Sequence, residues 1–223
     1  MNDRHVWCFL GRLPYRDAMS LMDRADARAR SHGSGTLMLL EHPATITMGR
    51  RETGANLRSE PEALAADGIA VERTDRGGFV TYHGPGQLVG YPVFPLPALG
   101  GSVRSMVEGI QRCLARVASG YGVRSETDAE RPGLWVGPDK LAAIGLRLRR
   151  GVTGHGFAFN LAPALRHYDH LVPCGMTDRG VTSLAALTGV TPPLEQAAER
   201  TAAAFATSFG LELSRRGPEE VFS

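Results

Sequence analysis

The 223-residue chain is predicted to adopt an α+β fold, a mixed sheet flanked by helices. Strand-like segments come early and next to one another, and no regular βαβ alternation appears, which sets the pattern apart from a doubly wound parallel sheet. No repeat, low-complexity linker or composition shift divides the chain, so residues 1–223 are expected to form one domain that ends in a polar tail from about residue 214. By size scaling such a chain keeps roughly 10,000 Å² exposed and buries about 70% of its unfolded surface, enough for one core without a disulfide or metal staple.

Each element has its own signal. Val6 to Leu10 is strand-like. From Tyr15 to Ser31, Ala18, Leu21, Met22 and Ala25 share one helical face opposite Arg and Asp, and His32-Gly33-Ser34-Gly35 ends the helix. Thr36 to Glu41 and Ala44 to Met48 are strands broken at His42-Pro43, and Glu60 to Asp67 is a short helix stopped by Gly68. Three strands follow, Ile69 to Arg73, Gly78 to Tyr82 and Leu88 to Phe94, around the loop His83-Gly84-Pro85-Gly86-Gln87. A Pro-rich stretch leads to a helix over Ser102 to Ser119. Leu134 to Val136, Leu141 to Arg150 and Val152 to Leu161 are strands, the last two a hairpin. Helices over Val181 to Leu187 and Leu194 to Phe209, then a short strand, complete the chain.

Composition excludes several classes. The formal net charge of +2 argues against nucleic acid as the main partner. No run of about 18 apolar residues exists, so no membrane span is expected. The start, Met-Asn-Asp-Arg-His, carries an acid and leads into no apolar secretory region. Three cysteines far apart, Cys8, Cys113 and Cys174, fit reduced thiols and a cytoplasmic location. Of the 25 basic residues, 24 are Arg and one, Lys140, is Lys. Lysine differs from arginine in being able to give up its proton. Lys140 also lacks the Gly-rich lead-in of a phosphate-binding loop, which excludes Walker-type nucleotide binding.

Four constellations stand out. In Arg76-Gly77-Gly78-Phe79-Val80-Thr81-Tyr82-His83-Gly84-Pro85-Gly86-Gln87-Leu88-Val89-Gly90, five glycines imply that something approaches the backbone too closely for a Cβ. That something is either a ligand or the strand's own neighbours. Pro138-Asp139-Lys140 opens a strand of small apolar residues, and Gly154-His155-Gly156-Phe157-Ala158-Phe159-Asn160 forms the third group. In Val172-Pro173-Cys174-Gly175-Met176, a Cys between Pro and Gly belongs to a tight turn, whereas Cys8 and Cys113 lie in apolar, structural settings. A free thiol is only about 3% ionised at neutral pH, and a cation that lowered its pKa by two units would give roughly a twenty-fold gain in thiolate. Lys140 suits that role. His167, His170 and Cys174 have metal-ligand chemistry but match no strong zinc spacing, and no metal is expected.

Taken in order, the Arg76 to Gln87 string, Lys140 with Ile144-Gly145-Leu146-Arg147, His155-Gly156 with Asn160, and Pro173-Cys174-Gly175 resemble the lipoyl(octanoyl) transferase family, octanoyl-[acyl-carrier-protein]:protein N-octanoyltransferases. The resemblance runs from about Glu41 to Leu184. It implies the fold of the catalytic domain of biotin and lipoate protein ligases. It also implies transfer of an octanoyl group from acyl carrier protein to the lysine ε-amine of lipoyl domains, those of 2-oxoacid dehydrogenases and the glycine cleavage H protein. On this resemblance Cys174 is the catalytic nucleophile and Lys140 the residue that activates it. Arg76, Gly77, Gly78, Phe79, Val80, Thr81, Tyr82 and His83, with Ala143, Ile144 and Gly145 and with Gly156, Phe157 and Ala158, line the substrate site. No cofactor is implied.

The residues agree chemically. Thioester exchange onto a cysteine is nearly isoenergetic, so no ATP is needed, and the transfer splits into two acyl steps. An oxyanion donor is expected from the Gly175 N–H or the 76–78 segment, and Arg147, Arg149 and Arg150 would suit an acidic carrier or form a solvated strand face. Three alternatives stay open on the residues alone: an ATP-dependent ligase of the same fold, a cysteine thioesterase with His83 or His155 as base, and a non-catalytic scaffold.

Overall fold

Alternation in the central strands decides the layering. In β2 (Gly35–Glu41) every residue is buried, with Leu37 and Leu39 in one apolar cluster and Met38 and Leu40 in another. A period of two sends neighbours to opposite faces, so the strand carries a helical layer on each side. The computed structural model describes residues 4–128, 131–172 and 180–222. Its main sheet joins β2 to β1 (His5–Arg12), β6 (Gln87–Val93), β7 (Gly133–Val136), β8 (Asp139–Arg149), β9 (Val152–Asn160) and β10 (Ser214–Arg215), in the order β10-β1-β2-β6-β9-β8-β7. β1 runs parallel to β2 and β10, and the remaining pairs are antiparallel. A second sheet, β4-β3-β5, is built from β3 (Thr45–Met48), β4 (Ala70–Arg73) and β5 (Val80–His83).

One face of the main sheet is covered by α1 (Tyr15–His32), whose buried Ala18, Met22, Ala25 and Ala29 form a stripe at helical spacing. Gly33, in the left-handed conformation, ends α1 by donating its N–H to Ala29 O. The other face is covered by α3 (Val103–Ser119) and α5 (Leu194–Phe209), with Ile110, Leu114 and Phe205 in the core. α2 (Pro61–Ala66) places Leu64 against Ile46, Val80 and Tyr82 of the small sheet. The accessible surface, 10,050 Å², is what size scaling expects. No helix among the described residues is long and apolar enough to cross a membrane.

Two expectations are corrected. The helix expected over Val181 to Leu187 begins only at α4 (Leu184–Thr188), where Ser183 Oγ accepts from Ala186 N–H at 3.1 Å. Residues 180–182 are extended instead: Lys140 N–H donates to Gly180 O and Thr182 N–H to Lys140 O, both 3.0 Å. The segment read as a polar tail from about residue 214 is part of the fold. β10 adds to the sheet edge, and α6 (Pro218–Phe222) buries Val221 and Phe222 beside α1 and β1. Two apolar residues at the end of a charged stretch leave little periodicity to detect.

Candidate active site

A cleft lies between the small sheet and the main sheet, with about 540 Å³ of empty space, part of it open to solvent. Its floor is a strip of small residues: Ala143 pairs with Ala158 and Gly145 with Gly156 across β8 and β9. Val80, Thr81 and His83 of β5 face it, and the 76–79 segment covers it. That segment is tied down at both sides. Gly49, Arg50 and Arg51 donate their N–H groups to the carbonyls of Phe79, Arg76 and Gly78, while Gly77 N–H donates to Leu146 O at 2.9 Å. Buried Arg76 adds bonds to Thr47 O (2.7 Å) and Thr47 Oγ1 (2.9 Å) and to Gly77 O (3.1 Å).

Every residue expected at the substrate site lines this cleft except one. Tyr82 alternates away from Thr81 and His83; its hydroxyl pairs with His167 Nδ1 at 2.8 Å and its ring packs against Tyr168. Three lining residues escaped the sequence reading as substrate contacts: Tyr15, Tyr91 and His155. His155 sat in a noted motif, and its φ of 52° inside a strand marks it as strained. Tyr15 opens a helix and Tyr91 sits mid-strand, with no local signal. Of the loop glycines, three are required by the protein itself: a Cβ at Gly84 would strike the Tyr82 hydroxyl, at Gly86 the Ala162 carbonyl, and at Gly90 the Phe157 ring.

One end of the cleft is polar. Tyr91 OH pairs with His42 (2.8 Å), His155 Nε2 with Asp75 (2.7 Å), and His83 Nδ1 with Gln87 Oε1 (2.8 Å). Burial lowers the pKa of His42 and His155 to about 4 and that of His83 well below the ordinary value, so all three are neutral at pH 7. Burial opposes ionisation of Asp75, yet the hydrogen bonds from His155 and Arg147 hold its carboxyl below the usual range. Arg147 is thereby taken up by Asp75 at 2.9 Å, so of the three arginines considered for an acidic carrier only Arg149 and Arg150 remain exposed.

Lys140 is buried at the head of β8, its Nζ 4.7 Å from the centre of the Trp135 ring. It does not line the cleft; Ala143, three residues on along the same strand, does. The 180–182 rung beside Lys140 is held in turn by Asn160, whose Nδ2 donates to Thr182 O at 2.9 Å. Asn160 Oδ1 accepts from Gln87 Nε2 (2.9 Å) and Tyr168 OH (3.1 Å), so residues of the first and third motifs meet here. Pro173, Cys174 and Gly175 lie outside the described residues. Val172, just before them, donates its N–H to Asn56 O, and Gly180, just after the segment, pairs with Lys140. Cys8 and Cys113 are core thiols, with burial pushing Cys8 up to about 12 and Cys113 upward as well. The imidazoles of the metal alternative have other partners, His170 with Asp67 and Ser59 and His167 with Tyr82, and no metal-binding cluster occurs among the described residues.

Residues 14–206 match the lipoyl protein ligase A/B catalytic domain. The chain is 45% identical over 208 residues to a protein named octanoyltransferase in Chloroflexus aurantiacus, covering 92% of this chain and 93% of the relative. With the octanoyltransferase of Caldicellulosiruptor bescii the figures are 40% over 218 residues and 96% of each chain. The chain belongs to the lipoyl protein ligase A/B catalytic-domain family and, within it, to the octanoyltransferases. Solved structures agree on the fold. A putative lipoate protein ligase of Thermoplasma acidophilum with bound lipoic acid superposes with a TM-score of 0.76 at 16% identity, over 97% of this chain and 92% of the other. The biotin protein ligase of Aquifex aeolicus with biotin and ATP gives 0.51 at 10% identity, over 92% and 70%. The fold expected from the resemblance is therefore the one observed in this octanoyltransferase family member.

Proposed function

We infer that the chain transfers an octanoyl group from the phosphopantetheine thioester of acyl carrier protein to the ε-amine of a lysine on a lipoyl domain, in the cytoplasm and without ATP. The acceptors are the lipoyl domains of 2-oxoacid dehydrogenases and the glycine cleavage H protein, and residues 1–223 act as a single catalytic domain. The observation that carries this reading is the placement of Lys140. The chain's one amine side chain is buried at the head of the strand that floors a small-residue cleft, in a member of the octanoyltransferase family.

In the first step the Cys174 thiolate attacks the thioester carbonyl, the bond to the pantetheine sulfur breaks, and Lys140 protonates the departing sulfur. In the second, the lysine amine of the acceptor attacks the Cys174 thioester, Lys140 accepts its proton, and the cysteine leaves as thiolate. Gly77 N–H is already bonded to Leu146 O, so the oxyanion donor is taken to be the Gly175 N–H or the Gly78 N–H.

The fold is shared with ATP-using ligases, so the test turns on ATP. Incubated with octanoyl-acyl carrier protein alone, the wild type is expected to gain one octanoyl mass as a thioester-labile adduct that Cys174→Ser does not form. An adduct or transfer that requires ATP overturns the reading, and release of octanoate to water in the presence of apo lipoyl domain makes the protein a thioesterase. Lys140→Arg keeps the charge but cannot give up a proton. Transfer is expected to fall by a factor of about 10² or more, as for loss of a general acid-base, and near-normal turnover would remove Lys140 from proton transfer.

A further inference from the structure

The loop between β3 and α2 carries charge of one sign on its outer side. From Gly49 to Ser59 it holds Arg50, Arg51 and Arg58 and a single carboxylate, Glu52. The arginines are exposed, whereas Glu52 is 5% exposed and turned into the loop. Glu52 Oε1 accepts from the Gly54 N–H (2.7 Å) and the Asn56 N–H (3.3 Å), and Oε2 accepts from Asn56 Nδ2 (2.9 Å). The one acid of the loop is thereby used to shape it. The neighbouring acids are also taken: Glu72 pairs with Arg16, Asp67 with His170, and Asp75 with Arg147 and His155. Among the described residues no carboxylate pairs with Arg50, Arg51 or Arg58.

Both ends of this loop abut the site. At one end Arg51 lies over the ring of Phe79, a cleft-lining residue, at 4.6 Å. At the other, Leu57 bridges Leu171, and Asn56 O accepts from the Val172 N–H at 2.8 Å. Val172 is two residues before Cys174, a separation that covalent geometry keeps to about 7 Å or less. The exposed Arg149 and Arg150 are placed differently. Arg149 ends β8 nine residues from Lys140, roughly 30 Å away by strand rise.

We propose that the 50–58 loop is the docking surface for the carrier protein that delivers the acyl group, in place of the Arg149–Arg150 hairpin. This rests on the acyltransferase reading, with Cys174 and Lys140 at the reacting end. A phosphopantetheine thioester is anionic at its phosphodiester and rides on an acidic protein, so an arginine surface whose own acid is turned inward attracts and orients it. About thirteen bonds separate the sulfur of the arm from its phosphorus, and they span roughly 15 Å at the 3.3–3.6 Å that three backbone bonds cover. That length serves a carrier seated on the loop beside Val172, and it is about half the distance from the hairpin to Lys140. An acceptor lysine reaches only about 6 Å from its Cα, so its domain must sit against the reacting end, which leaves the set-back arginines to the longer-armed partner.

Binding and transfer are measured separately on the full chain. Binding is followed by calorimetry at low and high salt, with acyl carrier protein bearing an amide analogue of its octanoyl thioester. Arg50→Glu with Arg58→Glu, which keeps the backbone bonds and the Arg51–Phe79 contact, is expected to weaken binding about ten-fold and to flatten its salt dependence. Arg149→Glu with Arg150→Glu is expected to bind as wild type. In transfer to apo lipoyl domain, the loop variant should raise KM for octanoyl-carrier protein and keep wild-type kcat and KM with octanoyl-pantetheine, which lacks both protein and phosphate. Unchanged carrier binding by the loop variant, an equal loss with octanoyl-pantetheine, or a loss confined to the hairpin variant overturns the proposal. A KM rise for the lipoyl domain alone assigns the loop to the acceptor and overturns it too. If wild type transfers from neither donor, the acyltransferase reading fails, while the binding measurements still decide where the carrier docks.

Discussion

His42, His83 and His155 are all buried around the polar end of the cleft, and each is held neutral by that burial. An unfolded histidine titrates near pH 6.5, so between there and about pH 4 the unfolded chain binds protons that the folded chain refuses. The stability associated with these three sites is complete above pH 6.5 and is lost as pH falls below it. Each site contributes a slope of up to about 1.4 kcal/mol per pH unit. Asp75, held below the usual carboxylate range, adds its own loss only at still lower pH. Urea unfolding at pH 7.5, 6.5, 5.5 and 5.0 is expected to show a small loss, about 1 kcal/mol for the three sites together, between the first two and a steep fall thereafter. His155→Gln should reduce that slope by about one proton's worth; an unchanged slope would mean that His155 titrates alike in both states.

Among the elements, β8 and β9 were the most legible, because alternating small and apolar residues across a tight hairpin leave little choice of partner. The rung at 180–182 was not legible: Val181, Thr182 and Leu184 fit a helix as well as a strand end, and what decides is the edge of β8 at Lys140, far away in sequence. The same holds for Tyr82, whose motif neighbours face the cleft while the strand period turns it away. Asn160 joins these elements by holding Thr182 O, Gln87 and Tyr168 together. Asn160→Ala is expected to destabilise the fold by about 2–3 kcal/mol, since it leaves several buried groups short of a partner. Octanoyl transfer should fall more than stability alone explains, because the rung beside Lys140 loses its anchor. Measuring transfer well below the unfolding temperature separates the two effects, and wild-type turnover there would make Asn160 purely structural.

Across the whole molecule, the two ends of the chain close the layer that carries α1. Val6 and Trp7 of β1 pair with Ser214 and Arg215, Arg215 lies over the Trp7 ring at 5.1 Å and reaches Glu195 and Glu199 on α5, and α6 packs against both β1 and α1. The ion pairs are half exposed and contribute little, of order 0–1 kcal/mol each. Apolar burial is the larger effect, with Val221 and Phe222 at 8% and 7% exposure in the same cluster as Met22 and Ala25. Phe222→Ala is therefore expected to destabilise the protein by about 3 kcal/mol, the low end for a buried aromatic because its site borders the surface. Glu195→Gln with Glu199→Gln should change stability by less than about 1 kcal/mol. Denaturant unfolding of the two variants decides the order. If the charge variant proved the more damaging, the C-terminal segment would be held by its ion pairs, and its burial beside α1 would be incidental to the fold.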